Sequence, residues 1–261
     1  EWTPILRDAC AENGIDFFSA PYDFEATDML EAFVPAYKIG SGDITWIEAC
    51  ERIASKGKPV LLATGAADIG DVQRAVQAIL AINPQLVLMQ CNTNYTADEG
   101  NFAHIHLNVL RTYAQMWPEL LLGLSDHTHA TVLGAVALGA RVIEKHFTDD
   151  NGRDGPDHAF AMNPQSWAEM VRNTRQLEAA LGDGDKRIVE NEADTAVVQR
   201  RCLRTARALA AGEVLTRADI AVLRPATSGA IMPYEIGKVL GTRVLRAMEE
   251  GQELRWTDLG V

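Results

Sequence analysis

Apolar and polar positions follow a regular order along the first two thirds of the chain. Short apolar runs, each typical of a buried strand, are followed by a polar loop and then by a stretch with helical period. The pattern predicts strands at 15–19, 36–39, 59–63, 86–91, 120–124 and 141–143, with helices at 26–33, 45–55, 69–81, 108–116, 130–138 and 167–181. Alternation of this kind indicates a parallel sheet covered by helices.

The polar residues that follow these strands favour a closed barrel over an open sheet. In a (β/α)₈ TIM barrel every strand's carboxyl end faces one pocket, whereas an open sheet uses only the ends at its switch point. Polar side chains are predicted at or just beyond most ends, namely Lys38, Ser41, Thr93, Tyr95, His127, Glu144 and His146. We therefore predict an α/β TIM barrel with about six βα units visible, and we expect about two further units before residue 1.

The C-terminal part of the chain has a different character. Residues 212–220 and 251–259 share the frame G-x-x-L-x-x-x-D-[IL], and such a duplication predicts a small pseudo-symmetric β-rich module. We predict a barrel domain at 1–182, a charged linker at 183–201 and the small domain at 202–261. A module of this size has a thin core, so we expect it to dock on the barrel or on a partner subunit.

Two histidines are predicted side by side at the ends of adjacent strands. Side chains alternate along a strand, so His127 and His146 can face one pocket while Lys145 points the opposite way. Imidazole is a common ligand of divalent metals, and Asp126, Glu144 and Asp157 are nearby carboxylates. A metal site is the favoured interpretation; the alternative is that each histidine only forms hydrogen bonds in a packed core.

Composition narrows the function classes. The 261 residues are 47% hydrophobic and 23% charged, as in globular proteins with a large core. A net charge of −12 without a Lys/Arg block argues against nucleic acid as a partner. Four scattered cysteines without CxxC spacing suggest reduced thiols and a cytoplasmic protein. No apolar run reaches the ~20 residues of a membrane-spanning helix, so no membrane is expected as a partner.

Five motifs resemble the N-acetylneuraminate (sialic acid) synthase family. They are FFSAPYD at 17–23, YKIGSGD at 37–43, GLSDHT at 123–128, EKHFT at 144–148 and GPDH at 155–158. The tail resembles the family's C-terminal SAF domain, which is similar to type III antifreeze proteins. The likeness covers nearly the whole chain in the right order, and it implies that two further barrel strands precede residue 1.

The resemblance implies a reaction, a cofactor and an assembly. Phosphoenolpyruvate would condense with the open-chain aldehyde of an N-acyl hexosamine such as N-acetylmannosamine, giving a nonulosonic (sialic) acid and phosphate. A divalent metal, Mn²⁺ with Mg²⁺ or Co²⁺ as alternatives, would be held by His127 and His146. The family's C-terminal module inserts an arginine, matched here by Arg224, into the neighbouring subunit's pocket, which implies a domain-swapped homodimer.

The resemblance also implies roles for individual residues. The implied catalytic residues are Lys38, Asp43 and Glu144, and the implied substrate-binding residues are Lys38, Ser41, Thr93, Tyr95, Arg153, Asp157 and Arg224. Ala20 and Ala63 depart from the family, because members often carry hydroxyls there. Two alternatives stay open: a legionaminic or pseudaminic acid synthase that uses a deoxy diacetamido sugar, and a catalytically inactive sugar-binding or assembly subunit.

Overall fold

The chain forms two compact units. The computed structural model describes residues 2–96, 98–128 and 130–260. The first unit comprises residues 1–183 and the second comprises residues 184–261. None of the helices in these described ranges is both long enough and apolar enough to cross a membrane.

The first unit alternates strands and helices after an N-terminal helix pair. Its elements in chain order are α1 (Thr3–Glu12), α2 (Phe24–Leu30), β1 (Tyr37–Ile39), α3 (Ile47–Ala54), β2 (Val60–Ala63), α4 (Ile69–Leu80), β3 (Leu86–Cys91), α5 (Val109–Met116), β4 (Leu121–Ser125), α6 (Val132–Ala137), β5 (Ala140–Glu144) and α7 (Pro164–Leu181). Asp68 caps α4 by accepting a hydrogen bond from Asp71 N–H, 2.9 Å. Asn163 caps α7 in the same way. Such caps satisfy backbone donors that a helix start leaves unpaired.

The five strands form one parallel sheet in the order β1-β2-β3-β4-β5. One face packs Tyr37, Leu62 and Leu88 into the main core with the helices. The other face carries a smaller apolar cluster that includes Leu61 and Met89. Burial on both faces explains why the strands read as nearly continuous apolar runs in the sequence.

An ion pair between the first and last strands shows that the sheet curves strongly. Lys38 Nζ on β1 lies 3.3 Å from Glu144 Oε2 on β5. Four strand spacings separate β1 from β5, which would be roughly 19 Å in a flat sheet. A direct contact between these side chains therefore requires a concave face, and the unit has the TIM-barrel-like α/β fold predicted from the sequence.

The predicted strand at 15–19 is wrong. Only Ser19 pairs with β1, as an isolated parallel bridge to Tyr37, so the sheet has five strands where six were expected. The apolar run that suggested a strand is largely open to solvent, with Ile15 62% and Phe18 43% exposed. A strand at 15–19 would pair with β1 alone and would bury little apolar surface. Its pairing therefore does not extend beyond this single bridge.

A buried ion pair joins the ends of β4 and β5. Lys145 Nζ lies 2.8 Å from Asp126 Oδ2, and both side chains are almost fully buried. The same carboxylate accepts hydrogen bonds from the His127 N–H, at 2.7 Å, and from the Thr128 hydroxyl, at 2.7 Å. Burial alone would raise the pKa of Asp126, but the Lys145 ammonium and the hydroxyls of Thr131 and Thr128 outweigh it and hold the pKa below its usual value.

The second unit contains short strands and little helix. Its elements are α8 (Ala193–Gln199), β6 (Cys202–Thr205), β7 (Ile220–Leu223), α9 (Ile236–Val239), β8 (Arg243–Val244) and β9 (Leu259–Gly260). The strands β6 and β7 form one antiparallel pair, and β8 and β9 form another. Apolar residues including Leu203, Leu215 and Leu254 fill a separate core. The β-rich character predicted for this part is confirmed, and α8 lies inside the predicted linker.

The two sequence repeats occupy equivalent places in the second unit. Arg207 Nε donates to Asp219 Oδ1 and Arg246 Nε donates to Asp258 Oδ1, each at 2.8 Å. The backbone bonds are also reciprocal. Gly212 N–H donates to the Val244 carbonyl, and Gly251 N–H donates to the Thr205 carbonyl. Each half of this unit therefore completes the hydrogen bonding of the other.

Replacing Lys145 with methionine should destabilise the first unit by about 3 kcal/mol, because the change leaves the Asp126 carboxylate buried without its partner charge. The variant Arg74→Met is the matched control, since it breaks an ion pair whose arginine side chain is 64% exposed. Urea unfolding followed by tryptophan fluorescence measures the difference. Equal midpoints for the two variants would contradict the role given to the buried pair.

The variant Asp219→Asn should lower the melting temperature of the second unit by about 4–8 °C at neutral pH. Hydrogen bonds from the Thr216 hydroxyl and amide, together with Arg207, lower the pKa of Asp219. This contribution is full above about pH 4 and is lost as the pH falls through the folded-state pKa. Calorimetry should therefore show the difference from wild type shrinking below pH 4. The exposed Asp194→Asn is the control, and a pH-independent difference would refute the electrostatic explanation.

Candidate functional site

The predicted pair of histidines is brought together where β4 and β5 end. The ring centroids of His127 and His146 are 4.9 Å apart. The Nδ1 of His127 lies 3.2 Å from the Asn92 carbonyl, and the Nδ1 of His146 lies 3.4 Å from the Asp157 carboxylate. A carbonyl only accepts, so Nδ1 of His127 carries the proton. In both rings Nε2 is then the nitrogen that remains for a ligand.

The electrostatics of the pair suit metal binding. Burial and the neighbouring His146 lower the pKa of His127, so its imidazole is neutral at pH 7. Neutral imidazole is the form that coordinates a metal. Within the described ranges no group of three or more His, Cys, Asp or Glu residues is arranged to hold an ion. The two imidazoles therefore fit as two ligands of a divalent metal, and the remaining positions would need other donors.

The three carboxylates expected near the histidines are placed differently from one another. Asp126 is not available as a ligand, because it faces Lys145 and the hydroxyls of Thr128 and Thr131. Glu144 pairs with Lys38. Only Asp157 contacts one of the rings, that of His146. Consecutive side chains along a strand point in opposite directions. The Asp126 side chain therefore points away from the side on which its neighbour His127 lies.

Two aromatic side chains enclose the histidines. Tyr95 lies 4.5 Å from His127 and 5.7 Å from His146, centroid to centroid. Phe160 lies 5.4 Å and 5.1 Å from the same two rings. Burial and the nearby Cys91 raise the pKa of Tyr95, so its hydroxyl can donate at neutral pH. Phe160 was missed by the sequence reasoning, because a single aromatic in a loop carries no distinguishing signal.

A second group of polar atoms lies at the ends of β1, β2 and β3. The Gly65 N–H donates to Ser41 Oγ, 2.9 Å. A Cβ atom at Gly65 would come within 2.9 Å of Ser41 Oγ and would overlap the Thr93 hydroxyl. Only glycine therefore lets these groups approach one another. The sequence predicted Ser41 and Thr93 as site residues but not Gly65. The only sign of Gly65 in the sequence was its position in Thr64-Gly65, directly after a predicted strand.

Lys38 supplies a positive charge to the concave face. The residue is 8% exposed, and its ammonium donates to the Ile39 carbonyl as well as pairing with Glu144. Asp43 ends the 3₁₀ turn Ser41–Asp43 that follows β1. The turn places a half-buried carboxylate in the segment that carries the Ser41 hydroxyl.

Asp43 and Arg153 are not among the residues that the structure brings together, and Arg224 lies in the second unit. Arg153 pairs with Asp149 at 2.7 Å, and both side chains are largely exposed. Arg224 belongs to the second unit, where it precedes the cis peptide bond to Pro225 and is exposed. The residues brought together by the structure are Lys38, Ser41, Thr93, Tyr95, His127, Glu144, His146 and Asp157.

Comparison with known proteins agrees with the two-unit organisation of the chain. The NeuB family matches residues 1–186, and the SAF domain matches residues 200–260. The N,N'-diacetyllegionaminic acid synthase of Legionella pneumophila is 33% identical over 97% of this chain and 71% of its own length. The human N-acetylneuraminate-9-phosphate synthase is 30% identical over 94% of this chain and 68% of its own length.

A solved structure shows the same relationship. The N-acetylneuraminic acid synthetase of Leptospira borgpetersenii superposes with a TM-score of 0.67 and 29% identity, covering 73% of this chain and 67% of that one. Members of the family are typically metal-dependent, in agreement with the paired imidazoles of His127 and His146. The chain belongs to the NeuB family of phosphoenolpyruvate-dependent nonulosonic acid synthases and carries a C-terminal SAF domain.

Proposed function

We propose that this protein condenses phosphoenolpyruvate with an N-acyl hexosamine resembling N-acetylmannosamine and releases phosphate. The observation that carries the proposal is a concave face with two different ends. One end holds a cation, a hydroxyl and a glycine backbone. The other holds the paired imidazoles of His127 and His146. Lys38 on β1 contacts Glu144 on β5, although the two strands are four strand spacings apart in the sheet. The curved face therefore brings its two ends close enough for two bound substrates to touch.

The first end suits an anion. Lys38 provides the positive charge, while Ser41 provides a hydroxyl beside the close approach of Gly65. Charge-assisted hydrogen bonds of this kind bind phosphate and carboxylate groups. The chain as a whole carries a net charge of −12, so an anionic substrate depends on such a local positive group. We assign Lys38, Ser41 and Thr93 to phosphoenolpyruvate.

The second end suits the aldehyde of the sugar. His127 and His146 would hold a divalent metal, which when bound acts as a Lewis acid toward the aldehyde oxygen. Mn²⁺ is the proposed ion, with Mg²⁺ or Co²⁺ as alternatives. Tyr95 and Asp157 border the imidazoles and are placed to donate to and accept from sugar hydroxyls. Arg153, on the adjoining exposed loop, is assigned a supporting role in holding that loop through Asp149.

The residues also provide for the protons of the reaction. The enol carbon of phosphoenolpyruvate attacks the aldehyde carbon, and the aldehyde oxygen takes up a proton to become a hydroxyl group. Water adds to the resulting oxocarbenium carbon and loses its protons, and its oxygen becomes the keto oxygen as the carbon–oxygen bond to phosphate breaks. Glu144 lies on this face and Asp43 lies in the turn that follows β1, and we assign to these two carboxylates the uptake of the proton of the attacking water. Lys38 Nζ lies 3.3 Å from Glu144 Oε2, so the two side chains form an ion pair on this face.

The acceptor sugar and the assembly belong to the proposal. A deoxy diacetamido sugar, giving legionaminic or pseudaminic acid, is the second candidate, and similarity to the Legionella enzyme supports it. Arg224 in the SAF domain is assigned to the active site of a partner subunit in a domain-swapped homodimer. Its exposed position before Pro225 leaves the guanidinium accessible for such a contact.

Phosphate release should depend on one N-acyl sugar and should disappear in the His127→Ala/His146→Ala double variant, because both proposed metal ligands are removed. The measurement is phosphate formed from phosphoenolpyruvate by the full-length native protein with Mn²⁺, across a panel of N-acyl hexosamines that includes diacetamido sugars. His104→Ala is the control. The Asn92 side chain donates to the backbone carbonyl of His104, so the substitution leaves this hydrogen bond in place. Release that persists in the double variant would refute the metal assignment.

The variant Gly65→Ala should lower kcat/KM for phosphoenolpyruvate about 10- to 100-fold, because the added methyl group displaces the Ser41 and Thr93 hydroxyls. The KM for the sugar should change little, since the histidine end is not touched. Gly237→Ala is the control, because a Cβ there meets no atom within 4 Å. Steady-state kinetics with each substrate varied in turn separates the two ends. An equal rise in both KM values would count against separate ends.

A further inference from the structure

The turn that carries Arg224 is held at several points. Arg224 comes directly after β7, and its side chain is exposed. The Pro225 carbonyl accepts a hydrogen bond from Arg204 Nη2 at 2.8 Å. The Ala226 N–H donates to the Val197 carbonyl at 3.0 Å. The backbone directly after Arg224 is therefore fixed at two consecutive residues, although it lies outside the strands and helices of this unit.

One carboxylate provides most of the remaining contacts to this turn. Glu253 Oε1 accepts from Arg204 Nη2 at 2.9 Å and from the Thr227 N–H at 3.1 Å, and Oε2 accepts from the Thr227 hydroxyl at 2.5 Å. Arg255 adds a hydrogen bond to the Ser228 carbonyl at 2.9 Å. Only 12% of the Glu253 side chain and 17% of the Arg204 side chain are exposed. Glu253 and Arg204 thus form a clamp on residues 225–228.

The environment of Glu253 favours its charged form. Burial alone would raise the pKa of this carboxyl group. The hydroxyl and the N–H of Thr227, together with the Arg204 guanidinium, outweigh burial and hold the pKa below its usual value. Hydrogen bonds to an ionised carboxylate are stronger than those between neutral groups. The contacts that Glu253 makes to the turn are therefore of the strong kind.

The internal duplication of this unit provides a comparison for the clamp. Arg204 pairs with Glu253 in an isolated antiparallel bridge, and the equivalent bridge in the other half joins Arg243 to Val214. In both halves the arginine donates to the carbonyl of the first glycine of a repeat, at 2.7 Å and 3.0 Å. The same backbone pairing therefore forms with a valine in place of the acid. The carboxylate needs an explanation other than the fold of the unit.

The clamp leaves Arg224 between two fixed segments. Leu223, the residue before it, pairs with Cys202 in the β6–β7 sheet. The residues after it are held by Glu253 and Arg204. Within the ranges that the structure describes, the guanidinium of Arg224 forms no hydrogen bond or ion pair. The direction of this side chain is therefore set by the backbone on either side of it.

We infer that Glu253 is a positioning residue, which fixes the direction of Arg224 by clamping residues 225–228 together with Arg204. The inference rests on the proposed function, which assigns Arg224 to the active site of a partner subunit. A guanidinium that enters another subunit's site loses conformational freedom on entry, and this loss opposes binding. The clamp removes the backbone part of that freedom when the unit folds. The arginine is then already directed outward before the subunits meet.

The first test is a double-variant cycle on phosphate release by the full-length native protein with Mn²⁺. Glu253→Gln loses the charge and one of the two acceptor oxygens, so kcat/KM should fall about 3- to 30-fold as Arg224 loses its direction. In the Arg224→Ala background the same change should alter kcat/KM by less than about twofold, because the residue that the clamp positions is absent. Glu253→Val, which copies Val214, should behave in the same way with a larger loss.

Glu213→Gln is the matched control. Glu213 pairs with Arg207 at 2.8 Å and accepts from the Ala210 N–H at 2.7 Å. Its equivalent in the other repeat is Gln252, which accepts from the Glu249 N–H at 3.1 Å. The substitution therefore breaks an ion pair of the same unit and copies an arrangement that the unit already contains. It should leave kcat/KM within about twofold of wild type.

Three kinetic results would overturn the inference. Equal losses from Glu253→Gln with and without Arg224 would show that the acid has a merely structural role. Wild-type kcat/KM in both Glu253 variants would show that the clamp does not matter for turnover. A loss of the same size from Glu213→Gln would show that activity responds to any weakening of this unit.

The second test needs no turnover. Hydrogen–deuterium exchange of the full-length protein should be at least about 10-fold faster at the Ala226 and Thr227 amides in Glu253→Gln than in wild type, because the turn opens more often. Glu213→Gln should leave the exchange of both amides unchanged. Ala226 is the more informative amide, because it donates to Val197 and not to the substituted residue. Unchanged exchange at Ala226 would overturn the inference, whatever the kinetics show.

The two tests separate the inference from the proposed function. Faster exchange in Glu253→Gln, without phosphate release by the wild type with any sugar, would support the clamp and refute the proposed reaction. Phosphate release by the wild type, with unchanged exchange in Glu253→Gln, would support the reaction and overturn the clamp. Phosphate release that Arg224→Ala retains in full would refute the assignment of Arg224 and would overturn the inference with it.

Discussion

The buried ion pair between Asp126 and Lys145 is the constraint on which the histidine end of the site depends. Each of these residues stands next to a histidine in the sequence, Asp126 before His127 and Lys145 before His146. Consecutive side chains at a strand end point in opposite directions. Locking the two charges together on one side therefore fixes both imidazoles on the other. The Asp126 carboxylate adds a direct bond to the His127 N–H, which further restricts that backbone.

The sequence was sufficient for features that follow from periodicity. The alternation of strands and helices predicted the parallel sheet, and strand alternation predicted that His127 and His146 would meet while Lys145 turned away. The duplicated frame in the tail predicted a small pseudo-symmetric module, and the structure gives its two aspartates, Asp219 and Asp258, equivalent arginine partners. In each case a repeated local rule decides the outcome, and the surrounding structure adds little.

The features that were missed depend on contacts between distant segments. The apolar run at 15–19 is typical of a strand, but whether it forms one depends on a neighbouring segment that covers it. Only Ser19 pairs with another strand. The helix α1 at the N-terminus also escaped prediction. Gly65 matters because Ser41 and Thr93 approach from other strands, and Phe160 matters because a later loop folds over the histidines. Asp126 was expected as a carboxylate near the histidines, but it pairs with Lys145, which is likewise a tertiary contact.

The contact between Lys38 and Glu144 changes how an anion would enter the site. The ammonium has already lost most of its water during folding, and Glu144 takes the place of that water as its partner. An arriving phosphate or carboxylate therefore exchanges one anionic partner for another and does not have to strip a hydrated cation. The carboxylate that it displaces becomes free at the moment of binding. In the proposed reaction Glu144 would thus be the counter-ion of Lys38 before the anion binds and an available base afterwards.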